Sequence, residues 1–303
     1  MSIADEVFTT ALLEKVLENH LKTPSIVINV EIAEMLEPGE NFCGKMLRIF
    51  VTYVIKNRGS YDVLSIIAKY PLIDNDATTL VVQELNVLER ESRVYEEVLP
   101  KMREIGVKKN FGPKLYYNLS TPIMILFLED LSAMGYEMKS RHEGLDLEHC
   151  LIALDKLAYF HGLSVVVHEK VDYQLSYFAS PFVDIYYFLS TSINLQVKEK
   201  HMTTIFNYYI DKLILYLKEL NVSERPSRNE LLEDFKKRAF MGVLATCCAT
   251  SLFRGPKRSD GNLNNFIKDN GPTSFRYACF NNHIYIKELE YLLPFYDSLG
   301  AFD

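Results

Sequence analysis

The stretch YDVLSIIAKYPL (61–72) decides the fold. Its β-branched apolar run reads as a strand, and Lys69 closes it after Ile66, Ile67 and Ala68. Two similar runs precede it, SIVINVEIAEM (25–35) and KMLRIFVTYVIKN (45–57). Pro38-Gly39 and Asn57-Arg58-Gly59 supply turn chemistry between the three, and such short sequential connections favour an antiparallel meander. Ahead of them lies an amphipathic helix over 4–21, with Val7, Leu12, Leu13, Val16 and Leu17 on one side. Behind them, Val81, Leu85, Leu88, Tyr95 and Leu99 mark the inner stripe of a helix over 78–99. Strands follow around KLYYN (114–118) and PIMILFLED (122–130). A helix over about 145–164 carries Leu147, Leu151, Leu154, Ala158 and His161 at helical spacing. Beyond Asp172 the pattern is almost entirely helical, with RGPKRSDGNLNNFIKDNGP (254–272) reading as a mobile loop. Strands with an inserted helix, then helices, predict an α+β chain of two lobes. The sheet lobe is expected over 1–127 and the helical lobe over 128–303, with the boundary near Leu128-Glu129-Asp130-Leu131.

Composition narrows the function classes. The chain has 303 residues, 48% of them apolar, enough for a large core. A net charge of −7 and a pI near 5.6 argue against a nucleic-acid partner. Five cysteines, Cys43, Cys150, Cys247, Cys248 and Cys279, show no CxxC pairing, which points to reduced thiols and a cytoplasmic location. The N-terminal residues carry acids and lack a basic region followed by an apolar run, so no secretory signal is expected there. No apolar run suggests a membrane span or a membrane partner.

Several residues have chemical meaning. A lysine at the end of an apolar strand, as Lys69 is, can meet phosphates as a point charge; alone, such a lysine is more often a solvated, snorkelling one. Glu91 lies three residues after Leu88 and four before Tyr95, on the inner side of its helix, where a carboxylate needs a cation. Lys69 is the natural partner and Glu84 the competing acid. The segment 38–44, with Glu40 and Asn41, offers backbone N–H groups that could cover phosphates, though a plain hairpin loop reads as well. The run 126–131 is an apolar strand ending in Glu129 and Asp130. Asp172 opens Asp-Tyr-Gln and suits a metal that bridges phosphates. Asp184 could cap the helix it begins. His161 and His168 are spaced too widely for a metal pair, and His161 reads as a core-facing residue at a helix end.

These pieces, in this order, resemble the ecdysteroid-kinase-like family, also called CHK kinase-like proteins, of insects and related animals. The matching stretches are GENFCGKMLRI (39–49), IIAK (66–69), LERESRVYEEVLP (88–100), FLEDL (127–131), KLAYFHGLS (156–164), DYQLSYFASPFVDIYYFLSTS (172–192) and the closing PFYDSLGAFD. The resemblance implies the two-lobed protein-kinase-like fold shared with choline kinases and aminoglycoside phosphotransferases. It implies transfer of phosphate from ATP, with Mg²⁺, to a hydroxyl of a small acceptor such as an ecdysteroid. Lys69 would bind phosphate, Glu91 would hold it, and residues 129–131 would form the hinge that meets adenine. Glu40 and Asn41 would lie over the nucleotide, Asp172 would bind the metal, and Asp184 would brace the catalytic loop.

One departure outweighs the matches. Family members carry a His-Gly-Asp motif and a following Asn before the Asp-Tyr-Gln motif. Here ten residues separate His161 from Asp172, with no Asp and no Asn among them. Catalytic Asp and Asn are therefore expected to be absent, an internal segment having been lost near Lys170/Val171, and the helical lobe is expected to be truncated. The expected function is an impaired small-molecule phosphotransferase. The alternative is a non-catalytic pseudokinase that binds nucleotide or a protein partner.

Overall fold

A computed structural model describes residues 7–35, 44–56, 59–71, 84, 86–105, 110–170 and 180–303. Their described parts form two compact units. One lies within 1–100, 112–137 and 258–268, the other within 101–111, 138–257 and 269–303.

The first unit is built on a five-stranded sheet, entirely antiparallel. Strands β1 (Ser25–Glu34), β2 (Lys45–Ile55) and β3 (Tyr61–Tyr70) form the expected meander. The remaining two, β4 (Leu115–Leu119) and β5 (Ile125–Glu129), are inverted in space, so the order is β1-β2-β3-β5-β4. That places β5 in the interior, which explains its uninterrupted apolar sequence: both faces are covered, and all five residues are buried. β1 is an edge strand, and its register with β2 shifts between Val27 and Asn29.

One sheet face packs on helix α1 (Thr10–Leu21). Leu13, Val16 and Leu17 sit at helical spacing and meet Ile49, Val51, Ile66 and Phe127. The helix begins at Thr10 after a break at Phe8 and Thr9, where the Thr9 side chain accepts the Leu12 N–H at 3.3 Å and caps it; residues 4–6 of the expected helix lie outside the described residues. The other face carries Ile67, Leu126 and Leu128, covered by Leu88. Leu88 belongs to helix α2 (Val87–Arg93), which continues through a π turn (Val94–Val98) into Leu99–Glu104. Glu84 is exposed, and the expected stripe residues Val81 and Leu85 lie outside the described residues.

The second unit is helical. α3 (Leu147–Lys170) buries Cys150, Leu154, Ala158 and Val166. α4 (Phe182–Thr191) and α5 (Leu195–Glu219) complete the core with Ile185, Leu189, Ile205, Tyr209 and Leu213. α6 (Arg228–Lys237) begins in a capping box of Ser227 and Glu230 and buries Phe235, which stacks on Tyr186 at 4.4 Å. α7 (Ala239–Leu244) continues through a π turn (Ala245–Thr250). Gly242 lies on it where a Cβ would stand 2.5 Å from the Tyr296 ring. α8 (Leu263–Lys268), of the sheet unit, and α9 (Phe275–Phe280) and α10 (His283–Asp297), of the helical unit, follow in sequence.

An ion triad is sealed in this core. The Lys198 ammonium meets the Glu288 carboxylate and donates to the Ser190 carbonyl at 2.7 Å; Arg254 Nε donates to the other Glu288 oxygen at 2.7 Å. None of the three side chains is more than 1% exposed.

Two expectations are corrected. The polar stretch 254–272 contains α8, because Asn262 caps it: its Oδ1 accepts the Asn265 N–H at 2.8 Å, and Arg258 and Asp260 brace the approach with two bonds. One helix does reach the length and hydropathy of a membrane-crossing segment, over Leu147–Val167. Its apolarity follows from the core face that α3 supplies.

Candidate functional site

Lys69 and Glu91 come together. β3 presents alternate residues to one face, so Lys69 shares the face of Ile67, on which Leu88 packs. With Leu88 anchored, Glu91 stands one turn further along α2 and points at the strand. Lys69 Nζ donates to Glu91 Oε1 at 2.8 Å and to Oε2 at 2.6 Å. The side chains are 23% and 26% exposed, so the pair is partly shielded yet reachable. Tyr95 lies beside it; burial first, and then the Glu91 charge, push its hydroxyl up to about 12. The base of the helix is tied to β4, where Asn118 Nδ2 donates to the buried Ser92 Oγ at 2.7 Å.

The residues at the end of β5 have distinct partners. Glu129 is buried and turns back on β4, accepting the Lys114 N–H at 3.2 Å and meeting Lys114 Nζ at 3.4 Å. Its own N–H donates to the Lys114 carbonyl at 2.9 Å. Asp130 is 5% exposed. Its Oδ2 accepts Arg48 Nε at 2.8 Å and Ser65 Oγ at 2.6 Å; its Oδ1 accepts Ser132 Oγ at 2.6 Å and the Ser132 N–H at 3.1 Å. Burial drives the Asp130 pKa up, but the bonds from Ser132 and Ser65 and the Arg48 charge together hold it below its ordinary value. The carboxylate therefore has no oxygen left for a ligand. Leu131 opens a short 3₁₀ turn (Leu131–Met134), and its carbonyl accepts the Tyr136 N–H at 3.2 Å.

Arg48, Ser65 and Ser132 escaped the sequence reading. A signal existed in Arg48, a charge inside the apolar run KMLRIFVTYVIKN, because such a residue needs an acid partner. Nothing local says that the partner is 82 residues away.

In the helical unit, Asp184 and His161 meet. His161 is buried, with Nδ1 2.7 Å from the Tyr209 hydroxyl and Nε2 3.1 Å from Asp184 Oδ2. Asp184 lies in the first turn of α4, but the N-cap residue is Pro181, so the acid holds a histidine and does not cap the helix. The tyrosine's hydroxyl is pushed well above its usual range, by burial first and then by the Asp184 charge. His161 is not at a helix end, since α3 runs on without a break to Lys170.

Glu40, Asn41 and Asp172 lie outside the described residues, and so does Cys43. Cys150, Cys247, Cys248 and Cys279 carry free thiols. Among the described residues no cluster of three or more His, Cys, Asp or Glu could hold a metal ion.

The family model described as the ecdysteroid kinase-like family matches the chain in two segments, residues 38–171 and 170–222. The segments meet at Lys170 and Val171. No curated protein matches the chain, and no solved structure does.

Proposed function

We propose a function from one premise: the chain belongs to the ecdysteroid kinase-like family, whose members are kinase-like phosphotransferases. On this reading the sheet unit holds ATP, with Lys69 on its phosphates and the backbone of Glu129 to Leu131 at its adenine. The observation that carries it is the twofold bond from Lys69 to Glu91. That bond uses two of three ammonium hydrogens and leaves one for a phosphate oxygen. Glu91 keeps the amine from swinging away, and the remaining exposure of both side chains suits an anionic ligand.

Mg²⁺, when bound, would neutralise charge on the phosphates. Asp172 is the residue we assign to it, on sequence grounds. Glu40 and Asn41 would lie over the nucleotide on the same grounds. The acceptor would be a small hydroxyl compound such as an ecdysteroid.

We further propose that phosphoryl transfer by this chain is impaired. Two observations support that reading. The sequence from Gly162 to Val171 holds no Asp or Asn to act as base or second metal ligand. In addition, α3 continues as regular helix through Lys170, across the stretch where a catalytic loop would have to leave it. The meeting of the two matched segments at residues 170–171 agrees with an internal loss at that point. The same observations favour a second reading, a pseudokinase that binds nucleotide or a partner without turnover. A reducing, cytoplasmic compartment belongs to the proposal and is supported by the free thiols.

The deciding experiment is transfer of radiolabelled phosphate from ATP to an ecdysteroid panel, run beside a binding titration with fluorescent ATP. Binding without transfer is the expected result. Turnover at rates of about 1 s⁻¹ or more, ordinary for kinases, would overturn the impairment. Absence of nucleotide binding would remove the function altogether.

A further inference from the structure

We propose that Ser259 is a phosphorylation site for a protein kinase that seeks basic residues ahead of its target serine, and that the phosphate draws Arg258 away from Asp260. The inference stands apart from the nucleotide reading above.

The site lies in RGPKRSDGN (254–262), a stretch without helix or strand between the helical turn that ends at Phe253 and α8. The chain as a whole is acidic, yet Arg254, Lys257 and Arg258 crowd into five positions. Arg254 is committed to Glu288 in the core. Lys257 and Arg258 stand immediately before Ser259, and both Lys257 and Ser259 are exposed. Two cations directly ahead of an accessible serine suit a kinase whose peptide groove is lined with acids. Ser140 is the nearest rival, exposed between Lys139 and Arg141. It has a single cation ahead of it, and Arg141 is engaged with the carbonyls of Leu252 and Phe253.

Ser259 and Asp260 are the central pair of a reverse turn, closed by the Gly261 N–H donating to the Arg258 carbonyl at 2.9 Å. Across that turn Arg258 Nε and NH2 donate to the two Asp260 oxygens at 2.8 and 2.7 Å. The bond from Arg258 first, and then its charge, hold the Asp260 carboxyl below its ordinary range. Asp260 also ties the turn to α8, because its carbonyl accepts Asn265 Nδ2 at 2.8 Å. The two charged side chains are 35% and 38% exposed, so this is a surface pair, and a surface turn of this kind opens into a kinase groove at small cost.

In the reaction the Ser259 hydroxyl oxygen bonds to the γ-phosphorus of ATP, and the bond from that phosphorus to the bridging oxygen breaks. ADP leaves, and the hydroxyl proton passes to the kinase's own base. The product carries a charge of about −1.5 to −2 and three strong acceptor oxygens. A guanidinium fork fits phosphate as well as it fits carboxylate. The phosphate therefore outcompetes the single charge of Asp260 for Arg258. The freed carboxylate then stands next to a near-dianion, the turn loosens, and α8 loses its tie through Asp260.

The test incubates the full chain with ATP and, in separate reactions, cyclic-AMP-dependent protein kinase, protein kinase C and casein kinase, the last as an acid-directed control. Phosphate is mapped by peptide mass spectrometry, and amide exchange is read over 259–268. At least one basic-directed kinase is expected to modify Ser259, at least about tenfold faster than the control does. Lys257→Met should slow that reaction at least about fivefold. Phosphorylation should speed exchange at Gly261 and over 263–268 at least about fivefold, and Ser259→Ala should remove the response to kinase. Asp260→Asn, a surface change that leaves the core untouched, should reproduce part of the faster exchange without phosphate. If both basic-directed kinases leave Ser259 unmodified, or if it is modified and exchange does not change, the proposal is overturned.

Discussion

Glu91 offers both carboxylate oxygens to the ammonium of Lys69, at 2.8 and 2.6 Å, across 22 positions of sequence. A strand-end lysine alone is unremarkable chemistry. Held by an acid on the packed side of a helix, it becomes a fixed charge in a partly screened setting. Removing it should therefore matter more for binding than for folding. Lys69→Met is expected to weaken ATP binding at least about tenfold, and Glu91→Gln to weaken it less. The fold should lose no more than about 1 kcal/mol in either case, since both side chains keep contact with water. Anisotropy titrations and urea denaturation of the same samples check both halves. A large stability loss with unchanged binding would reassign the pair to architecture.

Glu288 serves two cations at once, Lys198 and Arg254, inside the helical unit. Glu288→Gln leaves both without their counter-charge in a dry core. The expected cost is about 3–5 kcal/mol, the range found when a buried pair loses one member. It should show as a lower urea midpoint with an unchanged slope.

The same lysine sets an alkaline signature. Burial pulls the Lys198 pKa down to about 8, with Glu288 opposing and Arg254 adding to the fall, from 10.5 when exposed. Between those values the unfolded chain binds more protons than the folded one, so this group makes stability rise with pH. The buried phenols act the other way. Tyr116, Tyr285 and Tyr296 are pushed up to about 12, chiefly by burial, from 10.0. Their contribution is fully present below pH 10 and is lost as pH climbs through 12. Urea midpoints should therefore show a rise above pH 8 in the unaltered chain that is missing from Lys198→Met, and both should fall above pH 10.

His161 has one partner in the core and one near water. Tyr209 is fully buried, whereas the Asp184 side chain is 62% exposed. Tyr209→Phe should cost about 1–3 kcal/mol because it strands a buried ring nitrogen. Asp184→Asn should cost about 1 kcal/mol or less, since solvent replaces the lost bond. Equal losses in chemical denaturation would contradict the assignment of Asp184 to the wet end of this chain of contacts.

The sheet was readable because alternation and turn residues act locally. The meander, the strands of the inverted pair and the cover by Leu88 all follow from spacing. Glu91 was readable for the same reason, and its rivalry with Glu84 is settled by exposure. The inversion of β4 and β5 was not, because it depends on which of the two pairs with β3, a pairing between residues far apart in sequence. The clamp on Asp130 was not, because Arg48 and Ser65 reach it from other strands. The helix at 263–268 hid in a stretch whose composition says loop, although Asn262 carries the capping chemistry that starts it. His161 looked close to the end of its helix, yet backbone bonding carries α3 on to Lys170, and Leu163, Val166 and Val167 are buried beyond it.

The register shift at Ile28 bears on life in a crowded solution. β1 borders the sheet, and Ile26, Ile28 and Ile32 are all well exposed on it. A straight border with that much greasy surface would invite stray polypeptides to extend the sheet and seed fibrils. The extra residue breaks the even cadence of donors and acceptors, so an incoming strand can match only half of the border at a time.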